Sequence, residues 1–419
     1  MDFQLTDDQR ALRAGVRDIL SRHADRAALR AYVDGPPGEA AGRPPGAAGW
    51  AGPAEPEGPV GAASGAVGPA SGAVGPASGA VGETSGAVGP VSGAVGPVSG
   101  AVGETFGMVG RWWRELGAAG FFGLRLPEAD GGVGLALPEA VLAFEETGRF
   151  LLPGPLVATH LAAPLVPGAA RGDTVVTAYD PGSAGGRLVE HLTASDAVLV
   201  LDDAAVRVLP AQELARSARP LRSLDPATPL HRAAAPGMAG WKTGTGTGAG
   251  AGADAVDGGE AAGGRSAPTA AVLRREAVLL TAAQQLGSAA RTVETAVEHA
   301  RRRRQFGRPI GAFQAVQHRC ARMLVRVELA RAAVYAAAVT ADPTEVAAAK
   351  LLADEAAVRN ARDCLQVHGG TGFTWESDVH LHLKRAWLRA SRWATAAEAE
   401  EELARALLTN ERDMAFGWI

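Results

Sequence analysis

The sequence predicts a mainly α-helical protein with a small β domain between two helical parts. Apolar residues recur at helical spacing in long segments near both ends of the chain. Between residues 174 and 234, short aliphatic runs are separated by Asp- and Gly-containing turns, which is typical of short strands. Residues 269–419 contain successive long helical patterns with short links, as in an antiparallel bundle.

Two low-complexity stretches interrupt these patterns. The 419 residues include 54 Gly and 26 Pro, and six consecutive heptads of the type Ser-Gly-Ala-Val-Gly-Pro-Ala begin at Ser64. The glycines and prolines in these heptads exclude a coiled coil, and the glycine spacing excludes collagen. We therefore expect residues 35–109 to be a disordered insert. The second stretch, residues 235–268, is predicted to be a flexible linker, because its Gly244-Thr-Gly-Thr-Gly fits no phosphate-loop spacing.

These boundaries define the remaining domains. We expect an N-terminal helical domain, a shortened middle β domain and a C-terminal helical bundle, at residues 1–34 with 110–168, 169–234 and 269–419. In the first domain, Thr6-Asp7-Asp8-Gln9 is a capping-box pattern that starts a helix extending to about Tyr32. In the bundle, Asp342-Pro343-Thr344-Glu345 is a helix start with Asp as the N-cap and Pro at the first helical position.

Composition excludes several classes of function. The net charge of −4 gives no basic face for nucleic acid. No run of 18 apolar residues indicates a transmembrane helix, and the N-terminus does not resemble a signal peptide. Cys320 and Cys364 lack metal-ligand spacing, and two cysteines do not indicate a disulfide framework. A location in the reducing cytoplasm is therefore predicted. His380 and His382 point to different faces of a helix, and no third ligand accompanies them, so no metal site is predicted.

The most distinctive stretch lies between Glu298 and Gln314. Four consecutive arginines, residues 301–304, end a helical pattern and precede Phe306 and a Gly-containing turn. Because the planar guanidinium group suits phosphate and pyrophosphate, this stretch is a candidate anion site. The alternative is a solvated helix end, where arginine is favoured by the helix dipole.

Two long motifs carry a resemblance to the acyl-CoA dehydrogenase family. They are Arg-Arg-Gln-Phe-Gly-Arg-Pro-Ile-Gly-Ala-Phe-Gln at residues 303–314 and Leu-Gln-Val-His-Gly-Gly-Thr-Gly-Phe-Thr-Trp-Glu at residues 365–376. Residues 117–132 and 144–149 give weaker matches, and the likeness covers the chain outside the two low-complexity stretches. The resemblance implies a flavoprotein that binds FAD between subunits and performs α,β-dehydrogenation of an acyl-CoA thioester.

The resemblance also implies which residues contact the flavin nucleotide. Arg303 resembles the arginine that reaches the FAD pyrophosphate of a neighbouring subunit. Phe306 and Gln314 match positions that contact the same nucleotide. Gln366 begins a Gln-x-x-Gly-Gly turn in which Gly369 and Gly370 allow the backbone to approach the dinucleotide closely. The alternative for the two glycines is an ordinary helix C-cap.

The family's catalytic carboxylate is missing from both of its usual positions. The chemistry needs a carboxylate that acts as the base on the α-proton. The two positions where family members place it are occupied by Trp393 and Ala277. Glu276 is the nearest carboxylate, but an offset of one residue rotates a helical side chain by about 100°. Glu276 is therefore either the base or an exposed charge in Arg274-Arg275-Glu276.

Three hypotheses remain open. In the first hypothesis, the chain is a subunit that completes a shared FAD site in a hetero-oligomer with another acyl-CoA dehydrogenase subunit. Alternatively, it is a self-sufficient homotetramer that uses Glu276 as the base, or a non-enzymatic scaffold or thioester-binding protein. For the first two, the resemblance implies electron-transfer flavoprotein as a partner. The family's flavin-contacting loop has only a partial counterpart, Thr177-Ala-Tyr-Asp-Pro-Gly-Ser.

Overall fold

The computed structural model describes residues 5–23, 26–35, 111–183, 187–202, 205–233 and 268–416. The insert predicted for residues 35–109 and the linker predicted for residues 235–268 lie outside the described residues, apart from residues 35 and 268. The predicted fold class is confirmed, because helices precede and follow a middle region that contains the short strands. Within these ranges, no helix combines the length and the apolar character needed to cross a membrane.

The N-terminal part is helical on both sides of the insert. Its helices are α1 (Asp7–His23), α2 (Arg26–Val33), α3 (residues 111–118), α4 (Leu137–Arg149) and α5 (Leu156–Ala162). The predicted capping box is present, since the Thr6 and Gln9 side chains each accept a hydrogen bond from the other residue's backbone N–H group. The helix predicted to extend to about Tyr32 corresponds to α1 and α2, and the residues between these two ranges lie outside the described residues.

The middle region consists of two small sheets. Its elements are β1 (Val176–Tyr179), β2 (Leu188–Glu190), β3 (Ala197–Leu201), β4 (Val206–Pro210), α6 (Ala211–Ala215), β5 (Ala218–Leu221) and β6 (Leu230–Ala233). In the first sheet, of order β1-β3-β4, β3 pairs parallel with β1 and antiparallel with β4. The second sheet is antiparallel with the order β2-β6-β5. The sequence predicted β1, β3 and β4 from their aliphatic runs. It missed the other three strands because they are short and contain charged or polar residues.

The C-terminal part is a helical bundle. The helices are α7 (Ala270–Arg302), α8 (Gln314–Thr340), α9 (Pro343–His368), α10 (Val379–Ala390) and α11 (Ala396–Phe416). A hairpin of β7 (Arg304–Gln305) and β8 (Arg308–Pro309) joins α7 to α8. The Asp342 carboxylate accepts hydrogen bonds from the backbone N–H groups of Thr344 and Glu345, at 2.9 and 3.1 Å, as the N-cap pattern predicted.

Arginines of the bundle hold both sheets of the middle region. Arg274 of α7 donates two hydrogen bonds to the Asp180 carboxylate, each of 2.9 Å, at the end of the first sheet. Arg385 of α10 forms a buried ion pair with Asp225, which precedes β6 of the second sheet. Arg392 pairs with Glu190 of β2 at 2.7 Å. The position of the middle region therefore depends on charged side chains from α7 and from residues 379–392, which comprise α10 and the two residues after it and are called the α10 segment.

The two helical parts meet backbone to backbone at α4 and α7. A Cβ atom on Gly148 would lie 1.9 Å from the Gln284 carbonyl oxygen, and one on Gly287 would lie 1.8 Å from the Glu145 carbonyl oxygen. Each glycine therefore faces the other helix's backbone. No residue with a side chain fits this crossing unless the helices move apart.

We expect Gly287→Ala to lower the free energy of unfolding by about 3 kcal/mol, because the methyl group overpacks a backbone contact. Chemical denaturation of the purified protein measures this change. Gly15→Ala is the matched control, since Gly15 lies in α1 and nothing lies within 4 Å of a Cβ added there. This control should raise stability by about 0.5–1 kcal/mol. Equal effects of the two substitutions would contradict the close crossing.

Candidate functional site

The arginine motif forms a hairpin between α7 and α8. Phe306 and Gly307 have φ values of 50° and 77°, the left-handed pair that a type I′ hairpin turn requires. The Arg304 guanidinium donates a 2.9 Å hydrogen bond to the Gly307 carbonyl oxygen. Arg303 lies at the base of the hairpin, where its backbone N–H group donates to the His299 carbonyl oxygen at 2.8 Å. The motif thus has a defined backbone geometry that presents its side chains outward.

The side chains of this hairpin are exposed. Every residue from 301 to 308 is exposed, and Phe306 is 90% exposed. Phe306 contacts Phe313 edge to face at 6.0 Å between ring centres, and the Arg308 guanidinium lies 4.2 Å from the Phe313 ring centre. Gln314, the first residue of α8, is also exposed. The hairpin is therefore an open surface of cations and aromatic rings.

The second motif ends α9 beside this hairpin. The imidazole rings of His299 and His368 stack at 4.0 Å, so the ends of α7 and α9 lie next to each other. Gly369 caps α9 with a φ of 63°, and its N–H group donates to the Gln366 and Leu365 carbonyl oxygens. Gln366, Gly369 and Gly370 are all exposed. The structure thus brings the Gln-x-x-Gly-Gly turn and the arginine motif to one end of the bundle.

A helix C-cap explains Gly369 but not Gly370. Gly369 needs its positive φ, which glycine adopts without strain. Gly370 has no positive φ, and nothing in the described residues lies within 4 Å of a Cβ added there. Within this chain, Gly370 therefore has free space where other residues carry a side chain. Glycine at this position suits the close approach of a group from outside the chain.

The position of the missing base lies in a different region, beside a small cavity. Trp393 is half-buried with a φ of 65°, and it lines a cavity of about 40 Å³ together with Thr177 and Ala178 of β1. This volume has space for a few water molecules, whereas organic ligands occupy pockets of about 300–1,000 Å³. Ala277, the alternative base position, is fully buried. An isoalloxazine ring does not fit between Thr177 and Trp393.

Glu276 does not share this cavity. Its carboxylate forms a 2.5 Å ion pair with Arg125, and its side chain is only 14% exposed. It lines a separate cavity of about 200 Å³ with His160 and Leu273. The interpretation of Glu276 as an exposed charge was wrong, because the fold places Arg125 of the N-terminal part beside it. Burial lowers the pKa of the neighbouring His160 to about 4, so this imidazole is neutral at physiological pH.

The two histidines of α10 are structural. His382 is buried, and its Nδ1 atom lies 2.8 Å from the Ser288 hydroxyl. Burial lowers its pKa to about 3. His380 stacks on Trp375 at 5.1 Å between ring centres. In the described part of the chain, no three His, Cys, Asp or Glu side chains are placed to hold a metal ion.

Sequence reasoning missed a row of arginines at the closed cavity. Arg385 and Arg389 are four residues apart and share one face of α10, and Arg392 follows directly after the end of this helix. All three are buried and line the cavity beside Trp393. Their spacing was visible in the sequence, but burial of three cations is rare without partners from elsewhere in the fold.

Profiles of known families match both helical parts of the chain. The acyl-CoA dehydrogenase N-terminal domain matches residues 94–168, and the acyl-CoA dehydrogenase C-terminal domain matches residues 270–409. Acyl-CoA dehydrogenase IpdE2 of Mycobacterium tuberculosis is 36% identical over 278 residues, which cover 65% of this chain and 77% of IpdE2. Acyl-CoA dehydrogenase FadE34 of the same organism is 32% identical, and the match covers 65% of this chain but 38% of FadE34.

Solved structures share the fold over nearly the whole chain. A chain of the ChsE4-ChsE5 complex from M. tuberculosis matches with a TM-score of 0.64 and 21% identity, over 97% of this chain and 99% of that chain. A glutaryl-coenzyme A dehydrogenase in complex with glutaryl-CoA matches with a TM-score of 0.64 and 17% identity, over 98% and 97% of the two chains. The fold and the two motifs define a flavoprotein of the acyl-CoA-oxidising class.

The chain belongs to the acyl-CoA dehydrogenase family. The predicted class of activity, oxidation of the CH–CH bond of an acyl-CoA by an FAD-dependent oxidoreductase, is confirmed at the level of the family.

The buried pair of Asp225 and Arg385 makes stability depend on pH. Burial alone would raise the pKa of the Asp225 carboxyl, but the Arg385 charge and hydrogen bonds from Thr228 and Ala227 outweigh burial and lower it. The ionised carboxylate therefore stabilises the fold above the ordinary aspartate pKa of 3.8, and this contribution is lost as the pH falls through the lowered value.

We expect Asp225→Asn to lower the free energy of unfolding by about 3–5 kcal/mol at pH 7, because it leaves the Arg385 charge buried and unpaired. The difference between wild type and variant should shrink as the pH falls from the ordinary value of 3.8 through the lowered pKa of the folded Asp225 carboxyl. Denaturation curves at a series of pH values measure both effects. Asp173→Asn is the control, since Asp173 pairs with Arg171 on the surface. A difference that does not depend on pH would contradict the assignment.

Proposed function

We propose that this chain is the subunit of a hetero-oligomeric, FAD-dependent acyl-CoA dehydrogenase that completes the flavin site of a different acyl-CoA dehydrogenase subunit and supplies no base of its own. One contrast carries the proposal. The residues that match the nucleotide-contacting positions form an open surface, whereas the region of the flavin ring and base is closed by Trp393 around a cavity of about 40 Å³.

The open surface fits the nucleotide half of FAD. Arg303 offers an exposed cation for the pyrophosphate. Phe306 offers a ring that is 90% exposed, and free space around Gly370 allows the backbone to approach a phosphate or ribose. Gln314 and Gln366 add exposed amide groups as hydrogen-bond donors and acceptors. When bound, FAD supplies the hydride acceptor of the reaction, and these residues hold its nucleotide end.

The small cavity beside Trp393 supports the proposal that this chain does not hold a flavin ring itself. Thr177 of β1 and Trp393 approach each other across a cavity that is far too small for three fused rings. Opening it would require movement of Arg385 and Arg392, both of which are buried in ion pairs with the middle region. The ring and the base therefore belong to the partner chain, whose substrate is an acyl-CoA thioester.

Relatives support an assembly of different subunits. The solved ChsE4-ChsE5 complex contains two differently named chains, and this chain shares the fold over almost its full length. We infer the same kind of assembly here, with an acyl-CoA dehydrogenase that retains its base as the partner and electron-transfer flavoprotein as the electron acceptor.

A self-sufficient enzyme that uses Glu276 is the second candidate. In its favour, Glu276 is a mostly buried carboxylate in a cavity of about 200 Å³. Against it, Arg125 neutralises the carboxylate, and the cavity differs from the one beside Trp393. A non-enzymatic scaffold or thioester-binding protein is the third candidate, which requires that the exposed arginine hairpin bind no flavin.

We expect the chain to be colourless when expressed alone and yellow when co-expressed with a base-containing acyl-CoA dehydrogenase from the same genome. Absorbance near 450 nm of the purified complex reports bound flavin. Arg303→Gln and Gly370→Ala in this chain should each reduce the flavin content at least about tenfold, because each removes a nucleotide contact or its space. Glu276→Gln should leave both flavin content and bleaching by acyl-CoA unchanged.

Arg359→Gln is the matched control for the arginine variant, because Arg359 is an exposed residue of α9 that pairs with Glu355. Gly370→Ala should leave the melting temperature of the chain unchanged, since nothing within the chain contacts the added methyl group. Yellow protein from the chain alone that loses bleaching in Glu276→Gln would overturn the proposal in favour of the self-sufficient enzyme. Colourless protein under both conditions would favour the scaffold.

A further inference from the structure

The buried face of the α10 segment carries more positive than negative charge. Arg385 pairs with Asp225, and Arg392 pairs with Glu190. Lys350 of α9, which is fully buried below this face, pairs with Asp354. Each of these three cations has its own carboxylate. Arg389 is the fourth cation of the group, and it forms no ion pair among the described residues.

Arg389 is buried without a complete set of partners. It is 7% exposed, and its Nη1 atom has no hydrogen-bond partner in the described part of the chain. The Lys350 ammonium group donates a hydrogen bond to the backbone carbonyl oxygen of Arg389, but this bond leaves the Arg389 guanidinium unpartnered at Nη1. A buried guanidinium without a counter-charge is costly, so its persistence calls for a group that offsets the charge.

The energetic cost is visible in the protonation of Arg389. Burial, followed by repulsion from the Arg385 charge, lowers its pKa to about 9. The carboxylates of Glu190 and Asp225 act in the opposite direction but do not outweigh burial. The guanidinium is still charged at physiological pH, so the excess positive charge remains in place.

The cavity of about 40 Å³ lies directly beside this charge. Its walls include Thr177 and Thr228 of the middle region and Gln284 of α7, opposite the arginine face. A water molecule could fill part of this space, but a neutral molecule does not offset a buried charge. The volume also excludes ligands of the size of a nucleotide or an acyl chain.

We propose that this cavity is a binding site for one small monovalent anion, held by the Arg389 guanidinium, with chloride as the ion that occupies it in the cell. A single negative charge matches the single unpaired cation, and a monatomic ion fits the volume. The bound anion ties the α10 segment to the middle region where Trp393 closes the cavity. This inference rests on the proposed function in one respect, that no flavin ring enters this cavity, but it requires neither a partner chain nor bound FAD.

The melting temperature of the full-length protein tests the proposal when sodium chloride replaces sodium gluconate at constant ionic strength. Chloride or bromide should raise the melting temperature along a saturable curve, by about 5 °C once the ion is in hundredfold excess over its Kd. Arg389→Met removes the cation, so the variant should show no dependence on the halide. Arg359→Met, an exposed arginine variant, should keep the wild-type dependence.

A second measurement does not need a folded variant. Crystals of the wild-type protein soaked in bromide should show an anomalous peak within about 3.5 Å of an Arg389 Nη atom. A melting temperature independent of halide in wild type, or a halide dependence that survives in Arg389→Met, would overturn the proposal. Bromide peaks only at surface positions would overturn it as well.

Discussion

The buried ion pair between Arg385 and Asp225 fixes the middle region against the helical bundle, and Arg385 also lines the small cavity beside Trp393. Arg392 pairs with Glu190 of β2. Arg385 of α10 and Arg392 directly after it therefore both form ion pairs with the part of the middle region that contains the second sheet. Arg274 holds the first sheet in the same way through Asp180. Charged groups at these contacts exclude the space that a flavin ring would need.

The two regions of this chain differ in the space that they leave for a ligand. At the end of the bundle where α7 and α9 meet, stacking of His299 on His368 places the arginine hairpin next to the glycine turn. At the cavity lined by Trp393 and the buried arginines of the α10 segment, the volume is only about 40 Å³. A chain with an open nucleotide surface and a closed ring site is suited to serve a flavin whose ring lies in another chain.

Much of the fold and of the nucleotide surface could be predicted from sequence, because the relevant signals are local. Helical periodicity, the capping box at Thr6 and the N-cap at Asp342 each depend on residues within one turn of each other. The arginine and glycine motifs are also continuous stretches. Their exposure in the structure is expected both of an external binding surface and of the alternative, a solvated helix end.

The rest depends on contacts between distant parts of the chain. The ion pair of Glu276 with Arg125 joins α7 to the loop after α3, which sequence spacing does not reveal. Strands β2, β5 and β6 form through pairing with one another rather than through their own short sequences. The burial of Arg389 likewise follows from how α10 packs on the middle region. These features therefore had no sequence pattern that could distinguish them from surface charges or loops.

The ratio of flavin to protein chains in the co-purified complex tests the central claim most directly. In the proposed assembly, the open surface of this chain completes the partner's flavin site, whereas the partner's corresponding surface faces the small cavity beside Trp393 in this chain. The account therefore predicts one FAD for each pair of unlike chains, measured by flavin absorbance against the amount of each chain. One FAD for every chain would contradict it, because this chain would then hold a flavin ring of its own.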